Sequence, residues 1–394
     1  MGTPPTFAII CPNFHPRTCG VADHSVRLAR EILRAGYRAE IFSRPPATPH
    51  PAAPEIPVHA PESASWPMAI AAHIRRVVAG RRFSHAILQY TAQMWGAGRF
   101  GSAAVPWLVR ALRRDGVDVT LIAHELFTPF VPRPDLLLGA AAHRAQIALV
   151  ARYANRTFVT TDTRVDELMP FWNAIGRTGR PGVMRIGANV EAAPRVRRPG
   201  RRRLGVFSTL ATTKRFDVVL GAFAHVWRRH PESELVLIGD IGSRSDPRVA
   251  AIFDAVDAHP ARERIRATGK LALTAIAAEM AELDVCLFPM TTGANTRSGT
   301  LPLALETGLP VVATRGKETD LHLFQDGENI LFAPAMTAEA FGEAALRIFD
   351  DAGLEQRLSA GGKRLAEQHL AWPLIARQLL EAILAPSERL QASA

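Results

Sequence analysis

The residues best suited to holding an anion stand together at Arg297-Ser298-Gly299-Thr300. Arginine presents a planar fork that fits phosphate oxygens. Ser298, Gly299 and Thr300 lie where an apolar helical pattern starts, continuing through Leu301 to Leu305. A serine or threonine at the mouth of a helix, beside a glycine without a Cβ, turns the first backbone N–H groups toward an anion. That set would cradle a diphosphate, and an ordinary helix cap beside a solvated arginine is the plainer alternative. A second pair, His124-Glu125, ends the apolar run Val117–Ala123. Polar groups at the carboxyl end of a parallel strand sit where such sheets bind ligands. A histidine that merely caps the strand and bonds to backbone fits equally well.

Both sets need elements to carry them. Asp284–Pro289 and Val311–Thr314 are short apolar runs of strand length, separated by a small polar loop, the helix, and the breakers Gly308 and Pro310. The same alternation opens the chain. Thr6–Cys11 is a strand, Pro12–Gly20 a loop with His15, Arg17 and Gly20, Val21–Ala35 a helix and Arg38–Phe42 a strand. Strands follow at His85–Gln89, Val117–Ala123, Arg156–Thr161 and Val183–Ile186, while Arg44–Pro67 reads as a surface excursion. The pattern restarts at Leu204–Phe207, with helix Lys214–His230 and strands Glu234–Gly239 and Arg264–Thr268. Helices Ala338–Asp350 and Leu354–Gln368 come without further strands, and Trp372–Leu384 is a last amphipathic helix after a Trp-Pro break.

Repeated strand–helix–strand units predict an α/β fold of two doubly wound, Rossmann-like domains facing across a cleft. The expected boundaries are 1–190 joined by the return helix 372–385, a basic linker 191–203, and 204–371. The linker holds Arg195, Arg197, Arg198, Arg201, Arg202 and Arg203, a charge run of the kind that is usually only solvated. The first glycine loop lacks G-x-G-x-x-G, so no dinucleotide fingerprint is present.

Composition narrows the function. With 394 residues, 47% of them hydrophobic, the chain is long enough for two cores. No apolar run approaches the roughly 18 residues of a membrane span, and the N-terminus shows no secretory signal. Three cysteines, Cys11, Cys19 and Cys286, are few, odd in number and without metal-ligand spacing. A reduced, cytoplasmic setting is expected. The net charge of +10 is concentrated in residues 1–200, which hold 25 Lys and Arg against 13 Asp and Glu. That half should meet something anionic. Sparse aromatics and the lack of a recognised module argue against nucleic acid.

Four stretches, in order over nearly the whole length, resemble the retaining, glycogen-synthase-like GT-B glycosyltransferases often called family 4. GVADHSVRLAREILRAGYRAEIF resembles the first glycine loop and helix of that family, and LIAHELF the strand ending in its active-site histidine. FSTLATTKRFDVVLGAF resembles the stretch whose arginine and lysine hold the donor diphosphate, and SGTLPLALETGLPVVAT the donor-binding helix.

The resemblance implies transfer of a sugar from a nucleotide-diphospho-sugar to a hydroxyl acceptor, with retention at the anomeric carbon. It implies no cofactor and no metal, and the chain has no Asp-x-Asp pair. His124, Lys214 and Asn295 take the catalytic positions. Gly20, Thr209, Arg215, Leu271, Arg297, Ser298, Gly299, Thr300, Leu301 and Glu306 are the donor-side candidates, and His15, Arg17 and Glu125 the acceptor-side ones. The family has two glutamates eight residues apart, where this chain has Asn295 and Leu303, and an arginine where it has Thr209. Arg215 or Arg297 would supply the missing guanidinium. The acceptor, whether glycan, lipid-linked or small molecule, should dock on the basic half, with attachment to an anionic membrane surface at its inner face. A nucleotide-sugar epimerase or phosphorylase, and a binding protein that has lost catalysis, are the alternatives on the same fold.

Overall fold

The computed structural model describes residues 4–17, 19–63, 67–95, 102–198, 200–208, 214–297 and 299–385. Of the candidate residues, Thr209 and Ser298 lie outside the described ones. The chain divides into two compact units, Met1–Arg185 with Trp372–Ala394, and Ile186–Ala371.

The first unit is built on strands β1 (Thr6–Ile10), β2 (Arg38–Phe42), β3 (Val58–His59), β4 (His85–Thr91), β5 (Asp118–Glu125), β6 (Arg156–Val159) and β7 (Gly182–Val183). They form one parallel sheet in the order β3-β2-β1-β4-β5-β6-β7. Helix α1 (Gly20–Arg34) packs on one face together with the C-terminal helix Trp372–Leu384. Helices α2 (Pro67–Gly80), α3 (Ala104–Arg114), α4 (Pro134–Tyr153) and α5 (Asp162–Ala174) cover the other. Strands buried on both faces explain why they read as apolar runs rather than as alternating patterns.

The second unit holds β8 (Arg203–Phe207), β9 (Glu234–Ile238), β10 (Ile265–Ala267), β11 (Val285–Phe288), β12 (Val311–Thr314) and β13 (Leu331–Ala333). Its parallel order is β10-β9-β8-β11-β12-β13. Helices α6 (Phe216–Arg229), α7 (Pro247–Asp257), α8 (Leu273–Ala281), α9 (Thr300–Thr307), α10 (Ala338–Asp350) and α11 (Ala352–Leu365) lie on its two faces. The helix after it, Trp372–Leu384, is α12 and returns to the first unit. Both sheets therefore reverse direction once, between β1 and β4 and between β8 and β11, the points at which doubly wound sheets bind ligands.

Three sequence expectations are corrected. The excursion at 44–67 contains a strand, β3, paired to β2. A further strand, β13, lies beyond β12 and pairs with it. Two- and three-residue strands are too short to show a period. The basic stretch 191–203 is only partly solvated, its arginines meet carboxylates, and its described residues belong to the second unit. Arg195 and Arg197 grip Glu355 at 2.5 and 2.7 Å, Arg198 and Arg201 meet Glu282 at 3.2 and 2.8 Å, Arg202 meets Glu232 at 2.9 Å and Arg203 meets Glu234 at 2.7 Å. No helix among the described residues is long and apolar enough to cross a membrane.

Candidate donor site in the second unit

Lys214 was expected to open α6, but the helix begins at Phe216. Lys214 instead forms an isolated antiparallel bridge with Met290, and the next amide, that of Arg215, donates to Pro289 O at 3.1 Å. The bridge ties the segment after β8 to the segment after β11, so it crosses the reversal point of the sheet. Lys214 is only 7% exposed. Its Nζ donates to the carbonyl of Phe207 and lies 5.0 Å from the centroid of the Phe288 ring. Burial pulls its pKa down to about 8, because an ammonium loses its hydration there, and the Cys286 side chain opposes the shift only partly. Burial likewise raises the Cys286 thiol to about 12, which keeps it protonated and inert.

The loop from 290 to 297 is locked by its own side chains. Asn295 is buried, its amide nitrogen donating to Thr292 Oγ1 at 3.2 Å and Gly293 O at 3.0 Å. Its carbonyl oxygen accepts from the Arg297 amide at 3.1 Å. The side chain expected at a catalytic position is thus engaged in shaping the loop. Arg297 is bound to Glu318 at 2.7 Å and Arg215 to Asp217 at 2.8 Å. Both guanidiniums named as substitutes for the missing arginine therefore already face carboxylates.

Helix α9 starts at Thr300 with Gly299 as its N-cap and ends at Gly308, whose φ of 78° is left-handed. A Cβ on Gly299 would come within 3.0 Å of the Asn189 amide nitrogen. The glycine is thus required by the backbone of 187–189, a packing reason the sequence does not show. Leu301 and Leu303 are fully buried in the core beneath, so Leu303, at the position of one of the family's two glutamates, serves packing. Glu306 is half-buried in the last turn of α9, and Leu271 lies partly buried beside α8.

The first unit holds the other candidates. The β4–β5 register pairs Tyr90 with Ala123 but Thr91 with Glu125, leaving His124 as an extra residue in a bulge. Bulges re-aim side chains. His124 turns into the layer of α1 and α12, where its ring meets His24 at 4.7 Å, and His24 meets Trp372 at 4.9 Å. Its Nε2 donates to Gln89 Oε1 at 2.6 Å, which fixes the neutral tautomer and leaves Nδ1 as an acceptor. Burial, with Arg164 nearby, drives its pKa down to about 3. Neither His24 nitrogen has a hydrogen-bond partner among the described residues, and burial first, then His124, lowers its pKa well below the usual value. His124 therefore acts as a neutral ring, and Gln89, His24 and Trp372 are neighbours the sequence did not single out. Glu125 is exposed at the strand end. Gly20 is exposed as the first residue of α1. His15 Nδ1 pairs with Thr48 Oγ1 at 2.8 Å, and Arg17 donates to Pro45 O at 3.1 and 3.2 Å, so both pin the 44–50 segment. Among the described residues no cluster of His, Cys, Asp or Glu is placed to hold a metal.

Residues 201–351, which contain Lys214, the locked loop and α9, match the family described as Glycosyl transferases group 1. This segment, and not the whole chain, is what the family's model matches. Around it, the whole chain has the GT-B fold. HepE from Anabaena, solved with UDP and glucose, is 14% identical with a TM-score of 0.70, covering 96% of this chain and 99% of its own. Sucrose-phosphate synthase from Thermosynechococcus elongatus is 16% identical with a TM-score of 0.73, covering 96% and 98%. The pneumococcal O-GlcNAc transferase GtfA, solved with UDP and GlcNAc, is 13% identical with a TM-score of 0.69, covering 97% and 99%. No curated protein matches the chain by sequence. Within the matched segment, Lys214 is a buried cation at the sheet's reversal point.

Proposed function

We propose that the chain transfers a sugar from a nucleotide-diphospho-sugar to a hydroxyl acceptor, with retention at the anomeric carbon, and that its group 1 domain grips the donor's pyrophosphate. The observation that carries this reading is the ammonium of Lys214, sunk at the reversal point of that domain by the bridge to Met290. In such a transfer the anomeric carbon parts from a β-phosphate oxygen, and negative charge grows on the leaving diphosphate. A cation already stripped of water and fixed in place stabilises that charge without reorganising. The positive end of the α9 dipole adds to it. No cofactor and no metal enter the reading. UDP, present in the HepE and GtfA structures, is the first nucleotide to test.

Mass analysis of products from a panel of nucleotide sugars tests transfer directly, since an epimerase leaves mass unchanged. Replacing Lys214 by alanine should cut turnover at least tenfold, with losses of ~10²–10³ typical when one such donor is removed. Unchanged turnover would remove Lys214 from the mechanism.

A second reading, a nucleotide-sugar-binding protein without turnover, is favoured by Leu303 in the core and by the pairing of Arg215 and Arg297 with Asp217 and Glu318. Saturable binding of a donor with no product of any mass would select it.

A further inference from the structure

Helix α4 departs from the usual pattern of a helix on the outside of a sheet. Its inner face buries Ala140, Ile147, Val150 and Ala151. Its outer face should be polar, yet it presents Leu137, Leu138, Ala141 and Leu149, with Leu138 62% exposed. The approach to the helix, Pro129–Pro134, is exposed throughout, and Phe130 stands 57% open to solvent. Single exposed apolar side chains are ordinary. Phe130, Val131, Leu137 and Leu138 within nine residues form a patch, and patches mark contact surfaces.

Basic residues outnumber acidic ones along this face. Asp135 is the one acid in α4, and Arg133 is bound to it at 3.3 Å. Arg144 lies 3.7 Å from the Phe130 ring centroid and 4.1 Å from that of Phe127. Leu137 and Arg144 are seven residues apart, two helical turns, so Leu137, Arg144 and the stacked Phe130 share one side. Arg152 follows in the last turn, and Arg110 of the adjoining α3 sits 5.5 Å from the Tyr153 ring at the same end. Within the first unit, 24 arginines stand against 14 Asp and Glu.

We propose that this face of the first unit docks on an anionic lipid bilayer. Phe130, Val131, Leu137 and Leu138 enter the headgroup–acyl boundary, and Arg133, Arg144 and Arg152 meet the lipid phosphates. An amphipathic surface of aromatic and leucine side chains ringed by arginine binds in that way, and arginine suits phosphate through its fork. A second copy of the chain is a poorer occupant, because a two-fold contact would bring two arginine-rimmed patches together. Overall charge had suggested an anionic surface without locating it. The proposal does not depend on the sugar-transfer reading, since the assay below uses no donor.

The full chain is co-sedimented with vesicles of phosphatidylcholine alone and with about one third phosphatidylglycerol, at roughly 0.05 and 0.5 M salt. Binding to the anionic vesicles at low salt is expected to exceed binding to neutral ones by about tenfold or more. Phe130→Glu with Leu138→Glu should weaken it by a further ~tenfold while the melting temperature holds. The three native cysteines are buried, so Leu138→Cys can be labelled selectively with a polarity-sensitive dye. The label should shift to shorter wavelength on anionic vesicles. The proposal is overturned if wild type ignores lipid charge, if the double variant binds as wild type, or if the bound label still reports water. It is equally overturned by a lipid-independent dimer that the double variant abolishes.

Discussion

The two units share a strand order and treat charge in opposite ways. The second carries 23 basic and 23 acidic residues, and six arginines of its basic stretch are clasped by four glutamates of the same unit. Its remaining feature of note is one desiccated cation, Lys214, at the reversal point. The first unit carries the whole net charge of the chain, 24 basic residues against 14 acidic. At the carboxyl ends of its strands it holds two uncharged imidazoles, His24 and His124, kept neutral by burial. The difference teaches that a unit's net charge does not tell where a single charge is buried. The neutral unit holds the buried Lys214, and a buried charge is worth more than many screened ones.

Breaking the clasp tests the first half of that comparison, and with the largest effect. Arg195 and Glu355 are both about nine-tenths buried. Glu355→Gln should cost about 3 kcal/mol or more, because it strands buried arginine charge. A denaturant titration following the second unit would read it, and a loss below about 1 kcal/mol would mean the pair is solvated after all.

The neutral histidines give the next effect. Their folded pKa values lie below the unfolded one, so unfolding takes up protons once pH falls below about 6.5. Stability of the first unit should therefore drop as the solution is acidified through that value, by up to ~1.4 kcal/mol per pH unit for each histidine. His24→Phe should flatten this acid limb while leaving stability near pH 8 little changed. An acid limb identical to wild type would show that His24 is charged in the folded state. The smallest effect is expected at the exposed pair Arg215–Asp217, where Arg215→Ala should leave the melting temperature essentially unchanged. A larger change would mean the pair anchors the start of α6.

The architecture was legible because each buried parallel strand is a continuous apolar run, and Gly308 and Pro310 punctuate the chain where the structure turns. The short edge strands β3 and β13 were not, since their residues have no room to display a pattern. Charge partners were hidden for a different reason. Arg195 and Glu355 are 160 residues apart, and only packing brings them together. The bulge that aims His124 depends on the neighbouring strand's register, which its own sequence does not encode. Asn295 was legible as a polar residue of the loop after β11, but not as a side chain already bonded at both ends.

The most direct test of the central claim is calorimetric titration of UDP into the wild-type chain and Lys214→Ala, at pH near 7 and again above the Lys214 pKa of about 8. Protonated Lys214 attracts the diphosphate and the neutral amine does not, so wild-type affinity should fall about tenfold per pH unit once that value is passed. The alanine variant should bind at least ~tenfold more weakly near pH 7 and lose the pH dependence. Saturable binding that is equally tight in both proteins, or no saturable heat in the wild type, would contradict the account.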